Sequence, residues 1–327
     1  MPSTDSRSAV SPTRRQTLFG LAALGFASTP ALAQSPLSIV ATTGMIADTA
    51  QTLGGDLVSV RALMGPGVDP HAYRQTRSDI VALSRADLVL WHGLYLEAQM
   101  EELFNDLSRT RDVVAVTNGL DRGLLLAHDD YADRFDPHVW MTPQLWANVT
   151  DAIAAALRTA DPDNAATYME RTADYKAELE RLAAYATEVL SSVPDTARVL
   201  VTAHDAFSYF GRDFGFEVLG IQGISTESEA GVQRIGELVD TLVERDIKAV
   251  FVESSVSDRS VRALIEGAAA QGHEVAIGGE LYSDAMGSEG SYEGTYLGMI
   301  DHNVTTIARA LGGTAPEAGR LGKLGAA

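Results

Sequence analysis

The 327-residue sequence contains no cysteine, and this absence excludes several kinds of chemistry at once. Without thiols the chain forms no disulfide, holds no metal through sulfur and has no cysteine nucleophile. It also offers no cysteine that a lipid could modify, so we expect no lipid anchor. Any bound metal ion would have to be held by histidine, carboxylate or backbone oxygen atoms.

Basic residues are scarce as well, because 25 Lys and Arg stand against 44 Asp and Glu and the formal net charge is −19. Nucleic-acid binding depends on clustered basic side chains that neutralise phosphates, so this balance argues against it. It argues equally against binding to an anionic lipid surface and leaves cations and neutral solutes as ligands. Aromatic residues make up only 7% of the chain, which is few for a site that holds an organic solute between aromatic walls.

The first 33 residues have the order of regions found in export signals. Arg7, Arg14 and Arg15 come first, and an apolar run over 18–27 follows. This run is much shorter than the roughly 20 residues of a membrane-spanning helix. Ala31 and Ala33 then supply the small-x-small pattern of a signal-peptidase site and predict cleavage after Ala33. Because the segment around Arg14 and Arg15 resembles a twin-arginine signal, we favour that export route and expect the mature protein in the periplasm.

Short apolar, β-branched runs alternate with helical segments through the rest of the chain. Continuously apolar strands separated by helices are typical of parallel sheets covered on both faces. The pattern predicts an α/β fold of two lobes, each a parallel four-stranded sheet flanked by helices. The predicted strands are 39–42, 58–60, 88–91, 113–116, 199–202, 218–219, 249–252 and 275–277.

Residues 162–194, between the two sets of strands, predict one long α-helix that bridges the lobes. Asp161 is a suitable N-cap, Pro162 suits the first helical position, and Pro194 follows the end. About 30 helical residues would extend for roughly 45 Å, which makes a stiff linker. The alternative is that this helix forms one more layer on a single sheet.

The expected domain organisation follows from that helix. The N-terminal lobe would comprise 34–161, the linking helix 162–194 and the C-terminal lobe 195–313. The remaining residues, 314–327, are rich in Gly and Ala, and we expect them to form a flexible tail.

Three of the seven histidines and one aspartate stand in similar positions. His71 and His138 each follow an Asp-Pro dipeptide, His204 comes directly after a predicted strand, and Asp284 follows the last predicted strand. Loops after parallel strands open at the carboxyl ends of the sheet, where α/β proteins place their ligands. Three imidazoles and one carboxylate would complete a four-coordinate shell for a divalent metal. From spacing alone, surface or capping roles for these residues remain the alternative.

Seven motifs occur in order along the chain: Asp69-Pro70-His71, Ser78-Asp79-Ile80, His92-Gly93-Leu94-Tyr95-Leu96-Glu97, Asp136-Pro137-His138-Val139-Trp140, His204-Asp205-Ala206-Phe207-Ser208-Tyr209-Phe210, Phe251-Val252-Glu253-Ser254-Ser255-Val256 and Leu281-Tyr282-Ser283-Asp284-Ala285-Met286-Gly287. They resemble those of the metal-specific solute-binding proteins of ABC transporters for zinc and manganese, the cluster A-I or TroA-like family. The resemblance covers roughly 37–311, and it implies two α/β lobes bridged by a long helix with the ion between them. It places the metal ligands on His71, His138, His204 and Asp284, and it implies a membrane permease as partner.

Some residues depart from the family pattern or lie beside it. Thr142 stands where the family often has Asp, which we expect to change only a helix cap. The acidic loop 128–133, which contains His128, is too short for a metal-collecting arm, although a weak accessory site there is possible. Glu253, at the end of a predicted strand, could orient a histidine or form a plain ion pair. The other histidines, His92, His273 and His302, are expected to have structural or surface roles.

The sequence therefore predicts a monomeric, periplasmic protein that captures Zn²⁺ and delivers it to an ABC permease. Mn²⁺ is the alternative cargo, but three imidazoles with one carboxylate suit Zn²⁺ better. Affinity should fall as the pH drops through the imidazole pKa near ~6.5. Small lobe shifts would separate His71 and His138 from His204 and Asp284 and release the ion. We do not expect an enzyme, because a zinc hydrolase keeps three protein ligands and an open position for water.

Overall fold

The computed structural model of the protein describes residues 35–128 and 134–325. The predicted export signal, its cleavage point and most of the acidic loop that follows His128 lie outside the described residues. Within the described ranges, no helix combines the length and the apolar character needed to cross a membrane.

The first half of the chain forms one parallel sheet with the strand order β2-β1-β3-β4. The two central strands are the more apolar ones, and all four residues of β3 are buried. The edge strand β2 alternates between buried and exposed residues, as a strand covered on one face does. The elements of this half are β1 (Leu37–Ala41), α1 (Gly44–Gly54), β2 (Val58–Ala62), α2 (Arg77–Arg85), β3 (Leu88–Trp91), α3 (Glu101–Leu107) and β4 (Asp112–Ala115).

The second half is also built of parallel strands with helices between them. Its strands form two hydrogen-bonded pairs, β5 with β6 and β7 with β8. Strands β5 and β7 lie side by side, although no continuous ladder of backbone hydrogen bonds joins the two pairs in the described part of the chain. Two helices, α4 (Pro143–Ala160) and α5 (Ala165–Ser191), lie between the halves in sequence. The elements of the second half are β5 (Val199–Thr202), α6 (Ser208–Phe214), β6 (Glu217–Gly220), α7 (Val232–Glu244), β7 (Ala249–Glu253), α8 (Arg259–Ala270), β8 (Ala276–Leu281) and α9 (Tyr296–Ala310).

These elements confirm the predicted α/β class, its parallel strands and the long helix. Every predicted strand overlaps an observed one, because runs of buried aliphatic residues mark the strands of covered parallel sheets. The ends differ by a few residues, most at β8, which continues to Leu281.

The long helix α5 has 27 residues and begins at Ala165. A short 3-10 turn over Pro162–Asn164 precedes it, so the predicted start at Pro162 was three residues early. Asp161 stands at the N-cap position of this turn, with Pro162 as its first residue, but the Asp161 carboxylate caps no backbone N–H. It accepts hydrogen bonds from the Tyr168 hydroxyl (2.7 Å) and the Asn164 side chain (2.8 Å) instead, and Asp161 is also the C-cap of α4.

Helix α5 packs on elements from both halves of the chain. It contacts α1 and α4 on one side and α6 and α9 on the other. The largest hydrophobic core runs through it without a break, from Ile39 in β1 to Tyr296 in α9. Trp146 of α4 and Tyr296 stack with ring centroids 5.1 Å apart. Because interiors are close-packed, large relative movement of the two halves would have to disrupt this core.

The segment that follows α9 makes defined contacts over its described part. The backbone N–H of Arg320 donates to the buried carboxylate of Asp301 (2.9 Å), and that of Gly325 donates to Glu293 (2.7 Å). Thr314 donates its backbone N–H to the Ser192 hydroxyl (2.8 Å). These bonds hold the region expected to be flexible against α9 and the end of α5.

Candidate metal centre

The four residues singled out in the sequence lie together in one buried cluster. One ligand atom from each of His71, His138, His204 and Asp284 lies within 4.8 Å of the others. Their residues are at most 4% exposed. The loops that follow β2, β5 and β8 supply three of them, and the loop that precedes α4 supplies His138. Such a buried set of nitrogen and oxygen donors could hold a metal ion.

The ring nitrogens Nε2 and the Asp284 carboxylate face one another across short distances. His71 Nε2 lies 3.3 Å from His138 Nε2. Asp284 Oδ1 lies 3.4 Å from His138 Nε2, and Oδ2 lies 3.3 Å from His204 Nε2 and 3.9 Å from His71 Nε2. Among the described residues, neither oxygen of Asp284 has a hydrogen-bond partner, so both remain available to a cation.

Carboxylates orient two of the three imidazoles from behind. Asp136 Oδ1 lies 2.7 Å from Nδ1 of His138 and also accepts the backbone N–H of the same residue (2.9 Å). Glu253 contacts His204 in the same way: its Oε2 lies 2.5 Å from Nδ1 of His204, and its Oε1 accepts the backbone N–H of that residue (2.9 Å). In a neutral imidazole, an Nδ1–H that donates to a carboxylate fixes the tautomer and leaves Nε2 with its lone pair toward the centre.

The third imidazole is held through its backbone. Asp69 Oδ1 accepts the backbone N–H of His71 (2.8 Å), and Oδ2 accepts the hydroxyl of Thr226 (2.5 Å). Asp69 therefore links the His71 loop to the loop that follows β6. In both Asp-Pro-His motifs the Asp side chain accepts the N–H two residues on, which is an Asx-turn. These turns were not predicted from the sequence, although the repeated Asp-Pro-His spacing is the signal that marks both of them.

His92 supports the cluster without belonging to it. It is fully buried, and its Nε2–H donates to the carbonyl of Pro137, directly before His138, at 2.7 Å. Burial lowers the pKa of His92 to about 3, so the ring is neutral at physiological pH. Glu97 accepts the backbone N–H of His92 (2.7 Å) and the hydroxyl of Thr42 (2.6 Å). His92 thus has the expected structural role, and it fulfils this role by holding the segment that carries His138.

Buried hydrogen bonds fasten the His138 segment to the second half of the chain. The indole N–H of Trp140 donates to the carbonyl of Ser283 (2.7 Å), next to Asp284. The hydroxyl of Tyr296 donates to the carbonyl of Trp140 (2.9 Å), and the hydroxyl of Tyr209 donates to that of Asp136 (2.8 Å). His138 is therefore held in one rigid arrangement with His204 and Asp284, although it precedes α5 in sequence.

The environment sets a distinct protonation state for each group. Burial lowers the pKa of His71 to about 3, and the Asp284 charge only partly offsets this. Burial also disfavours a charged His138, but the Asp136 carboxylate outweighs it and raises the pKa to about 9. For His204, Glu253 and Asp284 outweigh burial and raise the pKa well above 6.5. Burial would raise the pKa of Asp284, yet the neighbouring imidazoles hold it well below 3.8.

The remaining predicted positions lie outside the cluster. His273 donates from Nε2 to the carbonyl of Ile247 (2.7 Å), and His302 lies 2.9 Å from that of Glu280. His128 donates its backbone N–H to Arg134 (2.9 Å), and the acidic residues after it are not described. Thr142 occupies the N-cap position of α4, but its hydroxyl makes no capping hydrogen bond.

Comparison with known proteins places this chain in a family. The family model described as "ZnuA: Zinc-uptake complex component A periplasmic" matches residues 39–310. The manganese-binding lipoprotein MntA of Bacillus subtilis (strain 168) is 45% identical over 293 residues, which cover 90% of this chain and 95% of that protein. The zinc-binding protein TroA of Treponema pallidum (strain Nichols) is 44% identical over 286 residues, covering 88% and 92%.

Solved structures agree with the sequence matches. The periplasmic zinc-binding protein TroA from Treponema pallidum superposes with a TM-score of 0.82, covering 84% of this chain and 99% of that chain at 44% identity. The chain therefore belongs to the ZnuA family of metal-binding proteins, which are substrate-binding components of ABC transporters and not enzymes.

Proposed function

We propose that this protein captures Zn²⁺ at His71, His138, His204 and Asp284 and delivers it to the permease of an ABC transporter. The observation that carries the proposal is the spacing of the four donors, which all lie within 4.8 Å of one another, with four of the atom pairs 3.3 to 3.9 Å apart. Bonds of about 2.0–2.1 Å to a tetrahedral Zn²⁺ separate the donor atoms by roughly 3.3 Å. The cluster therefore has the size and composition that a zinc ion requires. We further propose export to the periplasm with cleavage after Ala33, and a monomeric protein.

Mn²⁺ is the second candidate, and two observations favour it. Relatives of nearly equal identity are named for manganese and for zinc. Both oxygens of Asp284 face the cluster, so bidentate binding would add a fifth ligand, and Mn²⁺ accepts more oxygen ligands than Zn²⁺ does. We favour Zn²⁺ because three of the four residues supply nitrogen and because N/O/S sites generally bind it more tightly than Mn²⁺.

Direct competition tests the choice of ion. Apo protein given equal concentrations of Zn²⁺ and Mn²⁺ should retain zinc, with an affinity ratio of at least about 10²-fold, because nitrogen donors favour zinc in the intrinsic affinity order. Elemental analysis after dialysis measures the bound ions.

Uptake then identifies the cargo. With the transporter in proteoliposomes, the loaded protein should support accumulation of radioactive zinc in preference to manganese. Preferential uptake of manganese would contradict the zinc assignment and leave the binding site itself intact.

Glu253→Gln tests whether Glu253 orients His204. The amide can accept only one of the two N–H groups that the carboxylate now accepts, and it has no charge to stabilise the imidazole. We expect zinc affinity to fall by about 10–100-fold, as for other outer partners of metal-binding histidines. Competition with a chelator measures this. Glu280→Gln, an exposed glutamate on the neighbouring strand β8, is the matched control, and equal affinities of the two variants would refute the role.

The sequence suggests that His71 and His138 move away from His204 and Asp284 when the ion is released. The contacts around the cluster support a different separation. Three buried hydrogen bonds tie the His138 segment to the second half, and the continuous core opposes lobe separation. His71 is linked to that half through Asp69 and Thr226, and both of these residues are only part-buried. We therefore propose that release begins with movement of the His71 loop, while His138, His204 and Asp284 stay together.

A further inference from the structure

The exposed face of helix α2 is unusual for a protein with this charge. Arg77, Ile80, Val81 and Arg85 recur at spacings that place them on one side of the helix, and all four are exposed. Ile80 and Val81 are each 47% exposed. The opposite side, with Asp79 and Leu83, is buried. Two branched aliphatic side chains thus lie in solvent between two arginines, and Arg74 extends the same basic surface just before the helix.

The charge of this surface opposes that of the whole chain. The net charge is −19, yet 61–85 contains four Arg and only two Asp. Asp79 is buried and paired with Arg61 at 3.1 Å. Arg74, Arg77 and Arg85 form no ion pair within the described residues. We call the set Arg74, Arg77, Ile80, Val81 and Arg85 the basic face.

Helix α2 is connected to the segment that carries His71. The Asp79 carboxylate accepts the Tyr73 hydroxyl (2.7 Å), the backbone N–H of Thr76 (2.8 Å) and its hydroxyl (2.7 Å). Tyr73 follows His71 by two residues. These bonds join the chain after His71 to the first turn of α2, so a partner that shifts α2 also acts on the His71 loop.

We propose that the basic face is the docking surface for the transporter permease, which would meet it with an acidic, partly apolar patch on its outward side. This inference rests on the proposed delivery of the ion to a permease. Complementary charge steers association and orients the partners, and the acidic remainder of this protein would repel such a patch elsewhere. An anionic membrane would also attract the arginines, but it would repel the rest of a chain with a net charge of −19.

Charge reversal at the basic face tests the proposal. The variant Arg74→Glu, Arg77→Glu, Arg85→Glu is compared with Arg109→Glu, Arg111→Glu, Arg158→Glu, which makes the same charge change at exposed positions elsewhere. Zinc-loaded protein is titrated onto the permease–ATPase complex in lipid nanodiscs, and ATP hydrolysis is measured. The basic-face variant should need at least about tenfold more protein for half-maximal stimulation, and the control should match wild type.

Further arms separate the possible outcomes. Ile80→Ser, Val81→Ser should also raise the half-saturating concentration, and all variants should bind Zn²⁺ as wild type does. Unchanged stimulation by the charge-reversal variant would overturn the proposal. A second outcome would also overturn it: the wild-type protein binds phosphatidylglycerol vesicles, the charge-reversal variant does not, and both stimulate ATP hydrolysis equally. The basic face would then be a lipid-binding site. If the wild-type protein binds no zinc and does not stimulate the transporter, the proposed function itself fails.

Discussion

His204→Ala is expected to lower the affinity for Zn²⁺ by more than about 10³-fold, because loss of an orienting partner alone costs 10–100-fold and a ligand contributes more. The substitution removes one of four donors and leaves a gap where Nε2 lies 3.3 Å from Asp284 Oδ2. Calorimetry on the apo protein, with a competing chelator to reach high affinities, measures both affinity and stoichiometry.

Two comparisons make this result interpretable. His302→Ala removes a histidine whose ring lies outside the cluster, 2.9 Å from a backbone carbonyl, and should bind one zinc ion as wild type does. Asp284→Ala provides a second ligand variant, because His204→Ala leaves the Glu253 carboxylate buried without its partner and so could destabilise the fold. Thermal melting of the apo variants shows whether they are folded. Unchanged stoichiometry and affinity in both ligand variants would mean that the ion binds elsewhere.

The residues of the cluster could be found in the sequence because their positions follow from the fold. Parallel strands are recognisable as buried aliphatic runs, and the loops after them meet at one edge of the sheet. His204 and Asp284 each stand in such a loop. His138 does not directly follow a strand, and it was chosen because it follows an Asp-Pro dipeptide as His71 does. The resemblance of Asp136-Pro137-His138-Val139-Trp140 to a family motif then supported that choice.

Other features depend on contacts between residues far apart in the chain. Nothing local indicates that Trp140 donates to Ser283, or that the Tyr209 hydroxyl reaches the carbonyl of Asp136. The expectation that His71 and His138 would move together, away from His204 and Asp284, followed the order of these residues in the chain. The three-dimensional contacts instead group His138 with the second half. Likewise, Asp161 is of a residue type that favours N-caps, but α5 begins at Ala165, three residues after the predicted start at Pro162.

The affinity for Zn²⁺ is expected to fall by at least about 10²-fold between pH 8 and pH 6, because His138 must lose a proton when the ion binds and His204 must lose one below its own raised pKa. The pKa of His138 is raised to about 9 and that of His204 lies well above 6.5. Each ring carries a proton on Nε2 below its own pKa, so His138 removes about one decade of affinity per pH unit over this range, and His204 adds to the fall below its raised pKa. His71, with a pKa of about 3, stays neutral and adds nothing in this range. If the imidazoles had ordinary pKa values, the site would lose affinity for Zn²⁺ only near and below pH ~6.5.

Calorimetry at pH 7 in buffers of different ionisation enthalpy counts the protons directly, and about two should be released per ion. Asp136→Asn removes the carboxylate that raises the pKa of His138, so the count should drop toward one and the affinity should change less steeply with pH. Burial would then dominate and keep this imidazole neutral, as it does for His71. If the unmodified protein released no proton on binding Zn²⁺ at pH 7, this account would be wrong. Asp136 and Glu253 would then orient the two imidazoles without raising their pKa values.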